Sequence, residues 1–290
     1  MRLGPRFGVE VILNDYFLIL LGVYFLLGVA PQALLLFLAV SLHELAHVLA
    51  GCRCGIKPLA VELLPFGGVA RFTAPPSSWW LTTAAIALAG PLSSLILAAL
   101  AAWIMNLAGD PVRKWLAFFV QVNLMLGFFN LLPALPLDGG YLFRALRLPA
   151  VGLGRATREA VRLGQGLALF LALITAVGFY YRVVDLQGCV LAGFLFLKAR
   201  QEEEVTVYLF WRYFLTGGVK PDKQPRQTLI LVANKKLRLS ALWRNFVPGR
   251  YHLVAVLGDR GKIAGFISEE QLREMILTGN SQASLEELLK

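Results

Sequence analysis

Residues 43–47 combine two histidines and a glutamate in the order His-Glu-Leu-Ala-His. On a helix, His43 and His47 project from one face because they are four residues apart, so both imidazoles can bind a single metal ion. Glu44 lies beside them, where it can accept a proton from a water molecule on that ion. This HExxH pattern is typical of zinc-dependent hydrolases.

The segment around the motif makes this interpretation more specific. Residues 32–51 are otherwise almost purely apolar, and their length predicts a helix that spans a membrane. Each ionisable side chain inside a membrane costs about 2.5–3.5 kcal/mol on insertion scales, so three of them in one span indicate a function. A metal site inside the membrane is therefore favoured over the alternative, in which hydrogen bonds between helices merely satisfy the three side chains.

Two histidines do not complete a catalytic zinc site, which usually has three protein ligands and one open position. The remaining histidine, His252, lies in a predicted strand near the C-terminus and is interpreted as an ordinary strand residue. Asp138 is the best candidate for the third ligand, because it follows the fourth predicted span, which returns the chain to the side of the two histidines. Gly139 and Gly140 allow the backbone to approach the site closely. The alternative for Asp138 is a solvated aspartate in a turn.

Two asparagines share a face of the fourth predicted span, because Asn123 and Asn130 are seven residues apart. Asn130 is a candidate catalytic residue that could donate a hydrogen bond to a substrate carbonyl or to the oxyanion that develops during the reaction. Asn123 is expected to form a hydrogen bond between helices instead.

Composition places the chain among membrane proteins, since 57% of its residues are hydrophobic and only 16% are charged. The formal net charge of +10 is explained by basic residues that mark membrane topology and contact lipid headgroups, so no nucleic-acid partner is predicted. The three cysteines are too few for a disulfide framework. Cys52 and Cys54 are interpreted as small residues at the cytosolic end of a span, and a metal role for the pair is the alternative.

The predicted fold class is mainly α: a polytopic membrane bundle of about six transmembrane helices with a β-hairpin at membrane level. The hairpin is predicted over residues 56–72, where Pro58 and Pro65 break a helix. Its edge could pair with an extended peptide, and a plain re-entrant connector is the alternative. The six predicted spans are residues 16–30, 32–51, 81–107, 112–132, 161–181 and 183–197.

Basic residues are concentrated on the side of the membrane that would hold both ends of a six-span chain. The sequence therefore predicts a multi-pass membrane protein with both termini in the cytosol. The predicted domains are residues 1–200 in the membrane, an amphipathic linker at 201–226 and a small α/β domain at 227–290. Short elements are predicted as strands at 8–13 (or an interfacial lead-in), 228–233, 252–257 and 263–267, and as helices at 141–148, 240–246 and after Ser268.

The motifs together resemble those of the site-2 proteases, a family of intramembrane zinc metalloproteases. The resemblance is carried by the HExxH motif, by a Gly-Pro pair at residues 90–91, and by Asn130 followed by Leu-Asp-Gly-Gly at residues 137–140. It implies hydrolysis of a peptide bond by one Zn²⁺ ion. The implied zinc ligands are His43, His47 and Asp138, and the implied catalytic residues are Glu44 and Asn130.

The chain departs from the family pattern at two places. Family members often have Asn-Pro-Asp-Gly around the aspartate, where this chain has Pro-Leu-Asp-Gly at residues 136–139. They also often have an asparagine three residues after the proline of the third span, where this chain has Ser94. A weaker polar contact is therefore expected at Ser94.

The C-terminal segment resembles a single CBS domain through residues 251–256 and 261–267. CBS domains commonly bind adenine nucleotides, so the resemblance implies ATP or another adenine nucleotide as a second ligand. Nucleotide pockets usually form between paired CBS units, which implies that binding would require a homo-oligomer. The alternative is a passive module for dimerisation or docking.

Six spans followed by a CBS domain resemble the endospore-former branch of the family, the stage IV sporulation proteases FB. This likeness implies a pro-sigma-factor as the protein substrate, membrane-bound inhibitor proteins as partners, and a location in the mother-cell membrane around the forespore. A second function class is a CBS-regulated membrane transporter or metal channel in which His43 and His47 form a transport site. That function requires neither Glu44 nor a third ligand, and the sequence has no obvious inverted repeat.

Overall fold

The structure is a computed structural model that describes residues 2–6, 9–13, 24–56, 58–64, 67–72, 79–215, 228–242, 245–247, 250–258, 261–278 and 284–287. The chain divides into two compact units, residues 1–75 with 81–143, and residues 76–80 with 144–290. The fold is mainly helical, as predicted. The helices are α1 (Ala30–Arg53), α2 (Trp79–Met105), α3 (Val112–Asn130), α4 (Asp138–Val151), α5 (Leu153–Tyr180), α6 (Gln187–Leu215), α7 (Leu239–Leu242) and α8 (Glu269–Leu277).

Four of the described helices are long and apolar enough to cross a membrane, namely α1, α2, α3 and α5. They correspond to the second, third, fourth and fifth predicted spans. The first predicted span, residues 16–30, lies largely outside the described residues. The sixth, residues 183–197, overlaps the first half of α6, which continues without a break to Leu215. The total of six spans therefore stays a prediction.

A four-stranded sheet belongs to the first unit. Its strands are β1 (Arg2–Arg6), β2 (Val9–Leu13), β3 (Pro58–Leu64) and β4 (Gly67–Phe72), in that spatial order. β3 and β4 form an antiparallel hairpin, and β2 runs parallel to β3. The predicted hairpin and the predicted strand at residues 8–13 are thus confirmed. Among the described strands β4 lies at the edge of the sheet, and it packs against α1.

Helix α1 presents one buried face to the rest of its unit. Pro31 lies in its first turn, where a missing N–H costs no helical hydrogen bond. The buried residues Ala39, His43, His47 and Gly51 follow one another at intervals of four and therefore line one stripe of the helix. The two histidines of the motif are thus directed inward, away from the exposed leucines of the same helix.

The second unit contains a three-stranded sheet in the order β5 (Thr228–Asn234), β6 (Tyr251–Leu257) and β7 (Ile263–Ser268). The three predicted strands are confirmed. Of the predicted helix at 240–246, the described residues show the single turn α7, and residues 243–244 lie outside the described part of the chain. Ser268 caps α8 with its side chain, as predicted: its Oγ accepts a hydrogen bond from the Gln271 N–H at 3.3 Å.

The core of the second unit joins these strands to the ends of longer helices. Leu148 of α4, Leu153 of α5 and Phe214 of α6 pack in one cluster with Val254 and Ile267 of the sheet. Helix α6 crosses the predicted boundary at residue 200, and its last turns contribute to this core. The division of the chain into a membrane domain, a linker and a separate α/β domain stays a prediction.

Candidate metal centre

The two histidines of the HExxH motif meet inside the first unit. His43 is 4% exposed and His47 is 7% exposed. Their Nε2 atoms lie 3.2 Å apart, with the rings at 78° to each other. The predicted convergence of the two imidazoles is therefore what the structure shows.

Asp138 is the first residue of α4, and its carboxylate reaches both histidines. Its Oδ2 atom lies 3.1 Å from the Nε2 of His43 and 3.3 Å from the Nε2 of His47. Of the described residues, these three form the cluster that could hold a metal ion. The third partner predicted for the histidine pair is therefore in contact with it.

The two glycines after Asp138 allow the chain to fold tightly at this point. A Cβ at Gly139 would overlap backbone atoms of Leu131 and Leu132, and a Cβ at Gly140 would overlap the backbone at Ala134 and Leu135. Any side chain at either position would therefore displace the loop that carries the aspartate. The predicted close approach of the backbone at these glycines is confirmed.

The three donor atoms fit a tetrahedral zinc ion. Zinc binds nitrogen and oxygen ligands at about 2.0–2.1 Å, which places two ligands of a tetrahedron about 3.3–3.4 Å apart. The separations between the two Nε2 atoms and Oδ2 are 3.1, 3.2 and 3.3 Å. Two neutral imidazoles and one carboxylate also match the ligand set of catalytic zinc sites, which leave the fourth position open.

The outward-facing nitrogen of each imidazole contacts helix α2. The Nδ1 of His47 lies 2.7 Å from the carbonyl oxygen of Ile86, and the Nδ1 of His43 lies 2.9 Å from the Oγ of Ser94. Ser94 is fully buried. The polar contact expected at this serine is present, at the distance of an ordinary hydrogen bond. That it is weaker than the contact of an asparagine stays a prediction.

Helix α2 approaches the histidines at a glycine. A Cβ at Gly90 would overlap the ring of His47 and would lie 2.7 Å from the Nε2 of His43. These are the atoms that face the metal position. The glycine of the Gly-Pro pair therefore keeps that position open.

The two predicted catalytic residues, Glu44 and Asn130, lie outside the cluster of metal donors. Glu44 follows His43 on α1 and is half-buried. The Nδ2 of Asn130 donates a hydrogen bond to the carbonyl of Leu126 in its own helix, at 3.0 Å. Neither residue belongs to the cluster of metal donors, so their catalytic roles stay predictions.

Among the residues that the structure describes, Asn123 makes no hydrogen bond between helices, in contrast to the expectation. Its Nδ2 donates to the carbonyl of Phe119, four residues earlier in α3, at 2.9 Å. Its Oδ1 is buried without a hydrogen-bond partner among the described residues. The intrahelical bond competes successfully because an asparagine side chain can reach the carbonyl one turn back.

Comparisons with known proteins agree with this geometry. The profile of peptidase family M50 matches residues 31–114 and 105–174. The solved structure of a site-2 protease from Methanocaldococcus jannaschii superposes with a TM-score of 0.55 at 31% identity, over 70% of this chain and 94% of that one.

Two curated relatives cover different shares of the chain. A zinc metalloprotease of Methanocaldococcus jannaschii is 31% identical over 71% of this chain, which spans 61% of that relative's length. Stage IV sporulation protein FB of Bacillus subtilis is 26% identical over 97% of this chain and 96% of its own length. The second likeness therefore extends through the C-terminal sheet.

Proposed function

The chain belongs to peptidase family M50, the site-2 protease family, and on this basis we propose that it is a membrane zinc metalloprotease that hydrolyses a peptide bond of a membrane-associated protein. The observation that carries the proposal is the triangle of two buried Nε2 atoms and one partly buried Oδ2 atom, with sides of 3.1–3.3 Å. Two of its members, His43 and His47, lie in an apolar helix, where such side chains would be costly to maintain without a metal ion.

His43, His47 and Asp138 hold the zinc ion in this proposal. When bound, zinc supplies a Lewis acid that activates water and polarises the scissile carbonyl. The two imidazoles must be neutral and the carboxylate ionised to act as ligands.

Glu44 is the proposed general base. It is adjacent to His43 on α1 and half-buried, so its side chain keeps some access to water. It accepts the proton of the attacking water and passes it to the leaving amine. Asn130 is the proposed donor to the substrate carbonyl or oxyanion. One N–H of its Nδ2 is donated to the carbonyl of Leu126, which leaves the second N–H for the substrate.

The substrate must be unwound near the cleaved bond, because a helical peptide engages its carbonyls in hydrogen bonds of its own. We place the extended segment along β4. This strand is one of the two edges of the described sheet, and it packs against α1, which carries both histidines. An edge strand offers backbone N–H and C=O groups at the spacing that an extended peptide requires.

The likeness to a sporulation protein over nearly the whole chain supports a more specific proposal. The substrate would be a pro-sigma-factor, and the protein would reside in the mother-cell membrane around the forespore with both termini in the cytosol. Membrane-bound proteins would inhibit it. The C-terminal sheet would act as a CBS domain that binds an adenine nucleotide in a homo-oligomer.

Zinc content and cleavage, measured together in the purified protein, test the proposal. A pro-sigma-factor serves as substrate for the wild type, Glu44→Gln and Asp138→Ala. We expect zinc and cleavage in the wild type, zinc with at least about 100-fold slower cleavage in Glu44→Gln, and loss of both in Asp138→Ala. A wild type that binds zinc, cleaves nothing and moves zinc across vesicle membranes would instead indicate a transporter.

A further inference from the structure

Helix α2 contacts the metal ligands through a single stripe of residues. Ile86, Gly90 and Ser94 are four residues apart and therefore lie on one face of the helix. The carbonyl of Ile86 contacts His47, the serine contacts His43, and the glycine lies between them. The spacing of four residues on α2 thus matches the spacing of four residues between the two histidines on α1.

The direction of the hydrogen bond at His47 follows from its partner. A backbone carbonyl can only accept, so the Nδ1 of His47 must carry the proton that is donated to Ile86 at 2.7 Å. A neutral imidazole with its proton on Nδ1 has a lone pair on Nε2. This is the nitrogen that faces His43 and Asp138, so the contact with Ile86 prepares His47 to bind a metal ion.

The bond at His43 could run in either direction, because a serine hydroxyl both donates and accepts. The Nε2 of His43 lies 3.1 Å from Asp138 and 3.2 Å from the other histidine, which makes it the metal-facing nitrogen. It has a free lone pair only if the proton is on Nδ1. Metal binding therefore requires Ser94 to accept this hydrogen bond.

We propose that Ser94 is a positioning residue of the zinc site, whose Oγ accepts the Nδ1–H of His43 and thereby fixes both the rotation and the tautomer of that ligand. The proposal rests on the proposed function, because it assumes that the cluster binds zinc. Ser94 is fully buried, so no water molecule can readily replace its hydroxyl. Partners of this kind typically change metal affinity by about 10–100-fold when they are removed.

The chain supplies a matched control one residue away. The hydroxyl of Ser93 donates to the carbonyl of Gly90 in its own helix, at 2.7 Å. Ser93→Ala therefore removes a hydroxyl from the same turn of α2 without removing a partner of either histidine. Ser94→Thr keeps the hydroxyl at the critical position and serves as the rescue variant.

The first measurement is zinc affinity of the full-length protein, by competition with a chelator. We expect Ser94→Ala to weaken zinc binding by about 10–100-fold, with Ser93→Ala within about twofold of the wild type and Ser94→Thr close to it. A wild type that binds no zinc would contradict the proposed function itself. Zinc binding that is equally tight in the wild type and Ser94→Ala would overturn only the role of Ser94.

The second measurement reports the tautomer of His43 and requires neither bound zinc nor enzymatic activity. The chain has three histidines, so a protein labelled with ¹⁵N-histidine gives few ring-nitrogen signals. In the zinc-free protein, Ser94→Ala should change the Nδ1 and Nε2 signals of His43 and leave those of His252 unchanged. Unchanged His43 signals would overturn the proposal even if zinc affinity fell, because the loss would then come from packing alone.

Discussion

The backbone of Gly90 lies so close to the imidazole of His47 that a Cβ at this position would overlap the ring. The same Cβ would lie 2.7 Å from the metal-facing nitrogen of His43. One methyl group at position 90 would therefore occupy space between the two Nε2 atoms of the candidate metal centre. Helix α2 can approach α1 at this level only without a side chain there.

Gly90→Ala should abolish or strongly weaken zinc binding. The added methyl group must displace the rings that converge on the metal, and a misplaced imidazole is a poor ligand. Zinc content after purification measures the effect. Gly166→Ala in α5 is the matched control, since a Cβ at Gly166 meets no atom within 4 Å. Full zinc occupancy in Gly90→Ala would contradict this prediction, because α1 and α2 would then accommodate the methyl group without loss of zinc binding.

Asn130→Ala should slow cleavage by about 100–1,000-fold while leaving zinc content unchanged, because loss of one oxyanion donor has an effect of this size. Asn123→Ala is the matched control, since Asn123 makes the same type of bond to the carbonyl four residues earlier in the same helix. The measurement is kcat with zinc content determined on the same sample. Equal losses in both variants would mean that Asn130 acts only within α3.

Much of the metal site can be predicted from residue type and spacing. His43 and His47 are recognisable because a pair of histidines four residues apart has few other uses in an apolar helix. Asp138 is identifiable because the order of the spans returns it to the same side, and because two glycines follow it. None of this requires knowledge of how the helices cross.

The contacts between α1 and α2 are not predictable in the same way. The acceptor at Ile86 is a backbone carbonyl, and since every residue has one, the residue type does not predict this contact. Ser94 could equally have bonded to its own helix, as Ser93 and Asn123 do. The partner of such a side chain depends on the relative rotation of two helices, which periodicity alone does not specify.

A proline in β4 tests the proposed docking of an extended substrate. Val69→Pro removes a backbone N–H from the edge strand and should reduce cleavage several-fold while zinc remains bound, because the metal donors lie on α1 and α4. The measurement is the rate of cleavage per bound zinc. Val69→Thr, which favours a strand and retains the N–H, is the control. Unchanged cleavage in the proline variant would exclude pairing of the substrate with this part of β4.

His252 stabilises the junction between the C-terminal sheet and the helices of the second unit. It is 2% exposed, its Nε2 accepts a hydrogen bond from the Val247 N–H at 3.0 Å, and its ring stacks on Phe246 with centroids 4.2 Å apart. The carbonyl of Phe246 accepts a hydrogen bond from the N–H of Leu153, the first residue of α5, at 3.1 Å. This buried histidine therefore orders a segment that contacts a helix long and apolar enough to cross a membrane.

His252→Leu should lower the free energy of unfolding of the second unit by about 2–4 kcal/mol, because it leaves the Val247 N–H buried without a partner and removes the stacked ring. Hydrogen exchange should become faster at the amides of Val247 and Leu153, while zinc content stays at the wild-type level. His252→Gln retains an acceptor for the Val247 N–H and should recover part of the loss. If both variants unfold equally easily, packing of the ring rather than its hydrogen bond stabilises this junction.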